Sequence, residues 1–299
     1  MTTPSGNENA FLGALVGLAI GDALGLPVLG QSAEEMPLFE TYLELPVGET
    51  GEPVKGAISD RTEIALCLVE SLTTNDGKFD PENINARLGF LVESPSRQWM
   101  SDTVVSSIDA AFEFDGVVPD GTGTTIEPSV AVRGVIVGLM HSTGTPRPDE
   151  LHADAITAAR LTHDDGASAA AVEYVAAVTS EAARHVDADP IWEVPEPAFG
   201  GDIANRLVQI AEVVRTAGSF EDAVLAVVRQ GGDTTSYGAI AGGIAGARFG
   251  AAGLPQSLID DLDARIYLSM AAPWFYRTAM RRAGFAIDLR LIENEFPEM

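Results

Sequence analysis

Two runs of glycine at four-residue spacing constrain this chain more than any other feature of its sequence. The runs are Gly13, Gly17, Gly21 and Gly25 near the start, and Gly238, Gly242, Gly246 and Gly250 near the end. On an α-helix, residues four apart share one face, so each run creates a ridge without side chains that another backbone can approach closely. We expect both segments to be tightly packed core helices.

Helical patterns recur along most of the chain. Amphipathic, often alanine-rich periodicity and helix start signals predict helices at 9–25, 61–74, 81–93, 101–114, 129–141, 149–162, 166–186, 202–217, 220–229, 236–250 and 256–271. Loops rich in Gly, Pro or Thr are expected at 27–58, 115–128 and 187–201. No alternating strand pattern recurs and no linker separates two cores. The sequence therefore predicts an all-α, single-domain, compact multi-helix bundle over residues 1–299.

The charge of the chain excludes some partners. Its 18 Lys and Arg face 44 Asp and Glu, which gives a formal net charge of −26. That field repels phosphate backbones and anionic headgroups, so we expect neither nucleic acid nor a membrane as a partner. Residues 11–29 are apolar, but Asp22 interrupts them and no basic region precedes them. They are predicted to form a buried helix rather than a signal peptide or membrane span.

The single cysteine and the three tryptophans are predicted to have structural rather than catalytic roles. Cys67 is the only cysteine, so no internal disulfide can form and a reducing, cytoplasmic location is the simple expectation. It lies in an apolar run and is predicted to be a small buried residue rather than a nucleophile. Trp99, Trp192 and Trp274 are widely separated and are expected to anchor the core or loops.

Polar residues cluster at the ends of three apolar helices. The first cluster (residues 21–27) contains Asp22, the second (59–63) contains Ser59, Asp60 and Arg61, and the third (231–236) contains Asp233 and Ser236. Ser and Asp at helix starts commonly cap the first backbone N–H groups. Oxygen ligands converging from several helix ends are also what a Mg²⁺ site needs. The spacing alone leaves both interpretations open, although Ser59 or Asp233 taken singly favours capping.

The clusters resemble the ADP-ribosylglycohydrolase family, which includes the dinitrogenase-reductase-activating glycohydrolases. Residues 13–25, GALVGLAIGDALG, are similar to the opening of that family. Residues 59–62, SDRT, are similar to its Thr-Asp-Asp-Thr segment, and 231–236, GGDTTS, to its Gly-Gly-Asp-x-Asp-Thr segment. Blocks at 132–138 and 162–165 also resemble the family in the correct order. The resemblance implies an all-α fold and, in active members, a two-Mg²⁺ site that hydrolyses the ribosyl C1″ bond of ADP-ribosylated substrates.

The chain departs from the family pattern at several functional positions. Arg61 and Thr235 stand where the family usually has Asp, while Ser59 and Ser236 retain hydroxyls in place of Thr. Many active members carry a catalytic Glu shortly after the first block. The nearest position here is Leu29, followed by the acids Glu34 and Glu35. The glycine-rich loop that cradles the diphosphate in relatives has become EPSVA at 127–131.

These departures predict a weakened metal site. A guanidinium at position 61 that reaches the vacated cavity would bridge Asp60 and Asp233 and neutralise much of their charge without metal. We therefore expect either no metal or a single weakly bound Mg²⁺. Its vestigial ligands would be Ser59, Asp60, Asp233 and Ser236.

Three functions are compatible with this sequence. The first is a non-hydrolytic or weakly active protein that binds an ADP-ribose-like small molecule or an ADP-ribosylated protein. The second is a divergent hydrolase with Asp60 and Asp233 as catalytic residues, assisted by Glu34 or Glu35. The third is a structural or protein-interaction member with a closed cleft.

There are five candidate ligand-binding residues: four lie in four of the blocks that resemble the family, and the fifth directly follows the remaining block. They are Asp22, Arg61, Arg133, His163 and Tyr237. Two of them have a second interpretation. Tyr237 either stacks on a base or ribose or packs in the core, and His163 is also expected to organise a helix junction.

Overall fold

The computed structural model describes residues 8–47, 52–113, 120–186 and 192–285. In this part of the chain the prediction of an all-α fold is confirmed, with thirteen α-helices. They are α1 (Glu8–Gly25), α2 (Asp60–Thr74), α3 (Pro81–Val92), α4 (Asp102–Glu113), α5 (Pro128–Ala131), α6 (Arg133–Met140), α7 (Pro148–Arg160), α8 (Gly166–Arg184), α9 (Asp202–Thr216), α10 (Phe220–Val228), α11 (Thr234–Phe249), α12 (Gln256–Asp260) and α13 (Arg265–Arg282).

Helices α1 and α11 form the centre of the fold because their glycine ridges interlock. A Cβ added at Gly21 would lie 1.9 Å from the carbonyl oxygen of Gly238, and one at Gly17 would lie 2.3 Å from that of Gly242. The two backbones are therefore in direct contact, as the glycine spacing predicts. Residues Glu8–Val28 are long and apolar enough to cross a membrane, yet 89% of that segment's apolar window is buried inside the protein.

A second pair of helices packs in a similar way around this centre. Gly134 and Gly138 on α6 face α8, where an added Cβ would meet the carbonyl oxygens of Val172 and Ala176 at 2.5 Å. One continuous hydrophobic cluster extends from α1 to α13 and includes the buried thiol Cys67. Burial raises the pKa of Cys67 to about 12, so the thiol is protonated and unreactive at neutral pH.

The loop predicted at 27–58 is largely irregular but contains two short strands. Strand β1 (Leu45–Val47) pairs antiparallel with β2 (Glu52–Val54). The turn between them, and parts of the loops predicted at 115–128 and 187–201, lie outside the described residues.

The prediction of a last helix at 256–271 is wrong in extent. Helix α12 ends at Asp260, and α13 continues through Pro273 to Arg282. Proline normally ends a helix because it lacks an N–H and clashes with the preceding turn. Here the helix continues because Phe275, Thr278 and Ala279 beyond the proline are buried in the core.

The prediction for the tryptophans holds only in part. Trp192 is buried, as expected for a core anchor, but Trp274 is 61% exposed on the outer face of α13.

Candidate functional site

The three polar clusters meet at one end of the α1–α11 pair. Ser59 at the start of α2 bonds to Asp22 on α1, and Thr234 at the start of α11 donates its hydroxyl to the carbonyl oxygen of Gly25, at 2.7 Å. Arg61 on α2 donates from Nε to the hydroxyl of Ser236 on α11, at 3.1 Å. The three clusters, whose convergence the spacing alone left open, therefore lie together in the structure.

Asp22 links α1 to the first turn of α2. Its two oxygens accept four hydrogen bonds: from the backbone N–H and hydroxyl of Ser59 at 2.8 and 2.7 Å, and from those of Thr62 at 3.3 and 2.7 Å. Burial raises the pKa of Asp22, and the hydrogen bonds to Ser59 and Thr62 oppose that rise. The side chain is fully buried. The structure therefore places Asp22 as a positioning residue rather than at a ligand surface.

Ser59 and Asp233 cap the helices that follow them. The Ser59 hydroxyl accepts from the backbone N–H of Arg61 at 3.2 Å, and Asp233 Oδ1 accepts from that of Ser236 at 3.1 Å. The Ser236 hydroxyl also donates to Asp233 Oδ2 at 2.8 Å, and the Thr235 hydroxyl donates to Oδ1 at 2.9 Å. Both residues thus accept hydrogen bonds from backbone N–H groups that have no partner within the helix. This agrees with the capping interpretation, the simpler of the two that the sequence left open.

Arg61 lies between the two carboxylates on which the site depends. Its Nη1 is 2.5 Å from Asp60 Oδ1 and 2.7 Å from the carbonyl oxygen of Trp99, while its Nη2 is 3.7 Å from Asp233 Oδ2. Burial alone would lower the pKa of Arg61, but Asp60 and Asp233 outweigh that effect and hold it above its usual value. Arg61 therefore carries a permanent positive charge into the site.

For Asp60, the effect of burial on the pKa outweighs the effect of the neighbouring charge. The side chain is buried, and burial raises its pKa to about 6 even though the charge and hydrogen bond of Arg61 lower it. A buried carboxylate with this pKa stays ionised at neutral pH chiefly because a cation is in direct contact with it. Asp60 and Arg61 are thus a mutually dependent pair.

The donor set does not fit the two-Mg²⁺ site that the resemblance implies. Such a site needs several free carboxylate oxygens in near-octahedral geometry. Here Asp60 Oδ1 is bonded to a guanidinium, and both oxygens of Asp22 and of Asp233 already accept hydrogen bonds within the protein. Within the described ranges, no three His, Cys, Asp or Glu side chains converge as a metal-binding group.

Arg133 does not belong to the site, contrary to the expectation that it faces a ligand. Its Nη1 donates to the carbonyl oxygen of Ala158 at 2.7 Å, and its Nη2 donates to the hydroxyl of Thr162 at 2.5 Å. The side chain is buried, and burial lowers its pKa to about 10. Arg133 instead satisfies carbonyl groups at the end of α7, which helix α6 packs against.

His163 joins two segments, as the alternative expectation for it proposed. Its Nδ1 lies 2.8 Å from the hydroxyl of Thr162, and its Nε2 lies 3.7 Å from Glu127. The imidazole of His163 and the hydroxyl of Ser101, which donates to Glu127 at 2.7 Å, lower the pKa of Glu127 to about 2. His163 is fully buried, so the structure gives it a structural position and not a ligand contact.

Tyr237 and Arg206 lie at the edge of the third cluster. Tyr237 is half-buried one turn into α11, and the guanidinium carbon of Arg206 lies 5.1 Å from the centre of its ring. Arg206 donates to the carbonyl oxygen of Val227 at 3.0 Å. Sequence reasoning missed this cation because nothing in the spacing of α9 relates it to α11.

The loop that carries Glu34 and Glu35 is attached to the third cluster. Gly30 donates its N–H to the carbonyl oxygen of Gly232 at 2.9 Å, and Gly232 donates to Gln31 at 2.8 Å. The carboxylate of Glu35 accepts from the backbone N–H of Ser32 at 3.0 Å, which lowers its pKa. Both acids are exposed, and Leu29 is 38% exposed, so it does not plug the site.

Comparison with known proteins agrees with this fold. The sequence matches the model of the ADP-ribosylglycohydrolase family over residues 3–217 and 196–284. The chain therefore belongs to the ADP-ribosylglycohydrolase family.

Two relatives illustrate this membership. An ADP-ribosyl-[dinitrogen reductase] glycohydrolase of Rhodospirillum rubrum is 25% identical over 292 residues, which cover 89% of this chain and 94% of that protein. An ADP-ribosylarginine hydrolase of Pseudomonas putida is 25% identical, with 86% of this chain and 75% of that protein covered.

Further similarities include a protein of unassigned role and a solved structure. An uncharacterized protein of Archaeoglobus fulgidus is 28% identical over 311 aligned positions, covering 92% of this chain and 98% of that protein. A solved structure described as an ADP-ribosylglycohydrolase-related protein complex matches with a TM-score of 0.69 and 26% identity, covering 91% of this chain and 99% of its own.

Proposed function

We propose that this protein binds ADP-ribose, free or attached to a protein, with Arg61 replacing the divalent cations of its family, and that it hydrolyses the ribosyl bond weakly or not at all. Family membership and the names of two relatives, which act on ADP-ribosylated dinitrogen reductase and ADP-ribosylarginine, support the ligand class. The observation that carries the proposal is the guanidinium of Arg61 between Asp60 and Asp233.

The guanidinium retains a donor for an incoming anion. Nε bonds to Ser236, and Nη1 bonds to Asp60 and Trp99, but Nη2 is 3.7 Å from Asp233, beyond hydrogen-bond distance. A diphosphate oxygen that reaches Nη2 would gain a charge-assisted hydrogen bond without Mg²⁺. Because Asp60 and Asp233 repel the same anion and Arg133 faces the core, the affinity is expected to be modest. We expect a Kd between micromolar and millimolar, about −8 to −4 kcal/mol.

Calorimetry with ADP-ribose in the presence of EDTA tests this proposal. We expect metal-independent binding that weakens as salt rises and is lost in Arg61→Gln. Arg160→Gln is the matched control and should leave binding unchanged, because Arg160 is an exposed arginine whose one ion pair with a described residue is to Asp164, at 3.1 Å. Absence of binding at millimolar ADP-ribose and low salt would favour a structural role with a closed cleft.

A divergent hydrolase is the second candidate, favoured by the attachment of the 30–35 loop to the turn before Asp233. That attachment keeps Glu34 and Glu35 on the same side of the molecule as the third cluster. The lowered pKa of Glu35 keeps its carboxylate ionised, so it would act as a weak general base rather than as a general acid. Metal-dependent release of ADP-ribose from modified arginine by the wild-type protein, lost in Glu35→Gln, would establish this function and refute the first.

A further inference from the structure

A small cavity lies between α3 and the C-terminal half of α7. It has a volume of about 180 Å³. Besides two charged residues, it is lined by Pro81 and Asn85 from α3 and by Ile156, Thr157 and Leu161 from α7 and the residue that ends it. None of these residues belongs to the three polar clusters, so the cavity is separate from the site described above.

Asn85 gives this cavity a buried amide without a partner. The residue is only 3% exposed, and neither the oxygen nor the nitrogen of its carboxamide has a hydrogen-bond partner among the described residues. An unpaired buried amide is costly, and buried polar side-chain atoms in native proteins nearly always have a partner. The carboxamide offers an acceptor and a donor side by side. A ligand that satisfies both atoms must itself carry a donor next to an acceptor.

The other polar residues of the cavity are already engaged or exposed. Thr157 donates its hydroxyl to the carbonyl oxygen of Ala153 at 3.0 Å. Asp120 and Arg160, the two charged residues, are exposed and opposite in sign, and Arg160 pairs with Asp164 at 3.1 Å. The cavity therefore favours a neutral ligand that bonds to Asn85.

The volume and the apolar walls favour a ring over water. An apolar cavity of roughly 150 Å³ accommodates a benzene molecule, whereas a water molecule takes up about 30 Å³ and needs two to four polar partners. Water molecules that filled this cavity would face Pro81, Ile156 and Leu161, which offer no side-chain hydrogen bonds. One six-membered ring fits both the size and the composition of the walls.

We propose that this cavity binds a small, neutral cyclic amide. The N–H of the ligand donates to Oδ1 of Asn85, and its carbonyl oxygen accepts from Nδ2. The ring packs against Ile156 and Leu161.

Two ligands of the same size and shape test the proposal on the wild-type protein. 2-Piperidone is a six-membered cyclic amide, and cyclohexanone has the same ring with a CH₂ group in place of the N–H. We expect 2-piperidone to bind with a Kd of about millimolar order, as a ligand with seven non-hydrogen atoms allows. Cyclohexanone should bind at least about tenfold more weakly, because it leaves Oδ1 of Asn85 unpaired. Saturation-transfer NMR titrations measure both affinities.

A substitution assigns the binding to this cavity. Asn85→Leu keeps the branched shape of the side chain and removes the amide, so 2-piperidone should lose its advantage over cyclohexanone. Because the change removes an unpaired buried polar group, the variant should fold with a Tm no lower than that of wild type. Asn205→Leu is the matched control, since Asn205 is an exposed residue of α9 that does not line the cavity. That variant should keep the preference.

Three results would overturn the proposal. Equal affinities of the wild-type protein for the two rings would show that the Asn85 amide does not select the ligand. Failure of 2-piperidone to bind at high millimolar concentration would identify the cavity as a solvent pocket. A preference that persists in Asn85→Leu would place the binding elsewhere on the protein.

Discussion

Nη1 of Arg61 contacts Oδ1 of Asp60 at 2.5 Å, although the two residues are neighbours in sequence. Adjacent residues within a helix normally point in different directions. Asp60 and Arg61 meet because the long side chain of Arg61 reaches the carboxylate of Asp60, the first residue of α2. Position 61, where the resemblance to the family implies a second aspartate, thus holds the counter-ion of Asp60.

The first prediction concerns the response of stability to divalent ions. Since Arg61 satisfies Asp60, millimolar Mg²⁺ or Mn²⁺ should leave the Tm almost unchanged in thermal unfolding experiments. A ligand at one hundred times its Kd would stabilise the folded state by about 2.7 kcal/mol, which is easily detected. A concentration-dependent rise in Tm that disappears in Asp60→Ala would contradict the prediction.

The second prediction is that two substitutions create divalent-ion binding. Arg61→Asp with Thr235→Asp removes the cation and adds two carboxylates beside Asp60 and Asp233. Because four crowded carboxylates repel one another, the variant should be less stable than wild type without metal and should gain about 2 kcal/mol or more in millimolar Mg²⁺. Arg61→Ala with Thr235→Ala is the control that removes the same contacts without adding ligands. An equal response of both variants to Mg²⁺ would refute the prediction.

The third prediction tests the contact between α1 and α11. Gly21→Ala places a methyl group 1.9 Å from a backbone oxygen that cannot move independently of its helix. Overpacking of this kind should lower the free energy of unfolding by about 3 kcal/mol in urea denaturation. Gly166→Ala, with no atom within 4 Å of the added Cβ, should change it by no more than about 0.5 kcal/mol. Similar values for the two variants would mean that the helices do not touch at Gly21.

The fourth prediction concerns acid stability. Glu127 has its pKa lowered from 4.5 to about 2, so in the folded state its carboxylate stabilises the protein above pH 4.5. That contribution disappears as the pH falls from 4.5 to 2, because the unfolded state then binds the proton more readily. Since the group is partly exposed, Glu127→Gln should cost only about 1 kcal/mol at pH 6 and almost nothing at pH 2. A cost that does not vary over this range in denaturation experiments would rule out the interaction with His163.

The sequence was informative where backbone geometry decides the contact. The glycine spacing predicted that each ridge packs closely against another backbone, although it did not pair α1 with α11, and the motifs left open whether the three polar clusters converge. The sequence was uninformative about Arg133. This arginine binds the carbonyl oxygen of Ala158 near the end of α7, and no local sequence pattern indicates that α7 ends beside α6. The extent of the last helix was also outside the reach of the sequence, because α13 continues through Pro273 and the burial of later residues in the core stabilises that continuation.

The contact of α1 and α11 through bare backbone has a consequence for how this site can change. With no side chain between the two helices at Gly21 and Gly238, their separation is set by the peptide chain itself, and only a substitution at one of the interlocking glycines would act on it directly. Asp22 and Asp233, anchored on these helices, therefore keep their spacing whatever residues surround them. Arg61 therefore meets, at Asp233, a carboxylate whose position is set by the helix backbone rather than by the arginine that pairs with it.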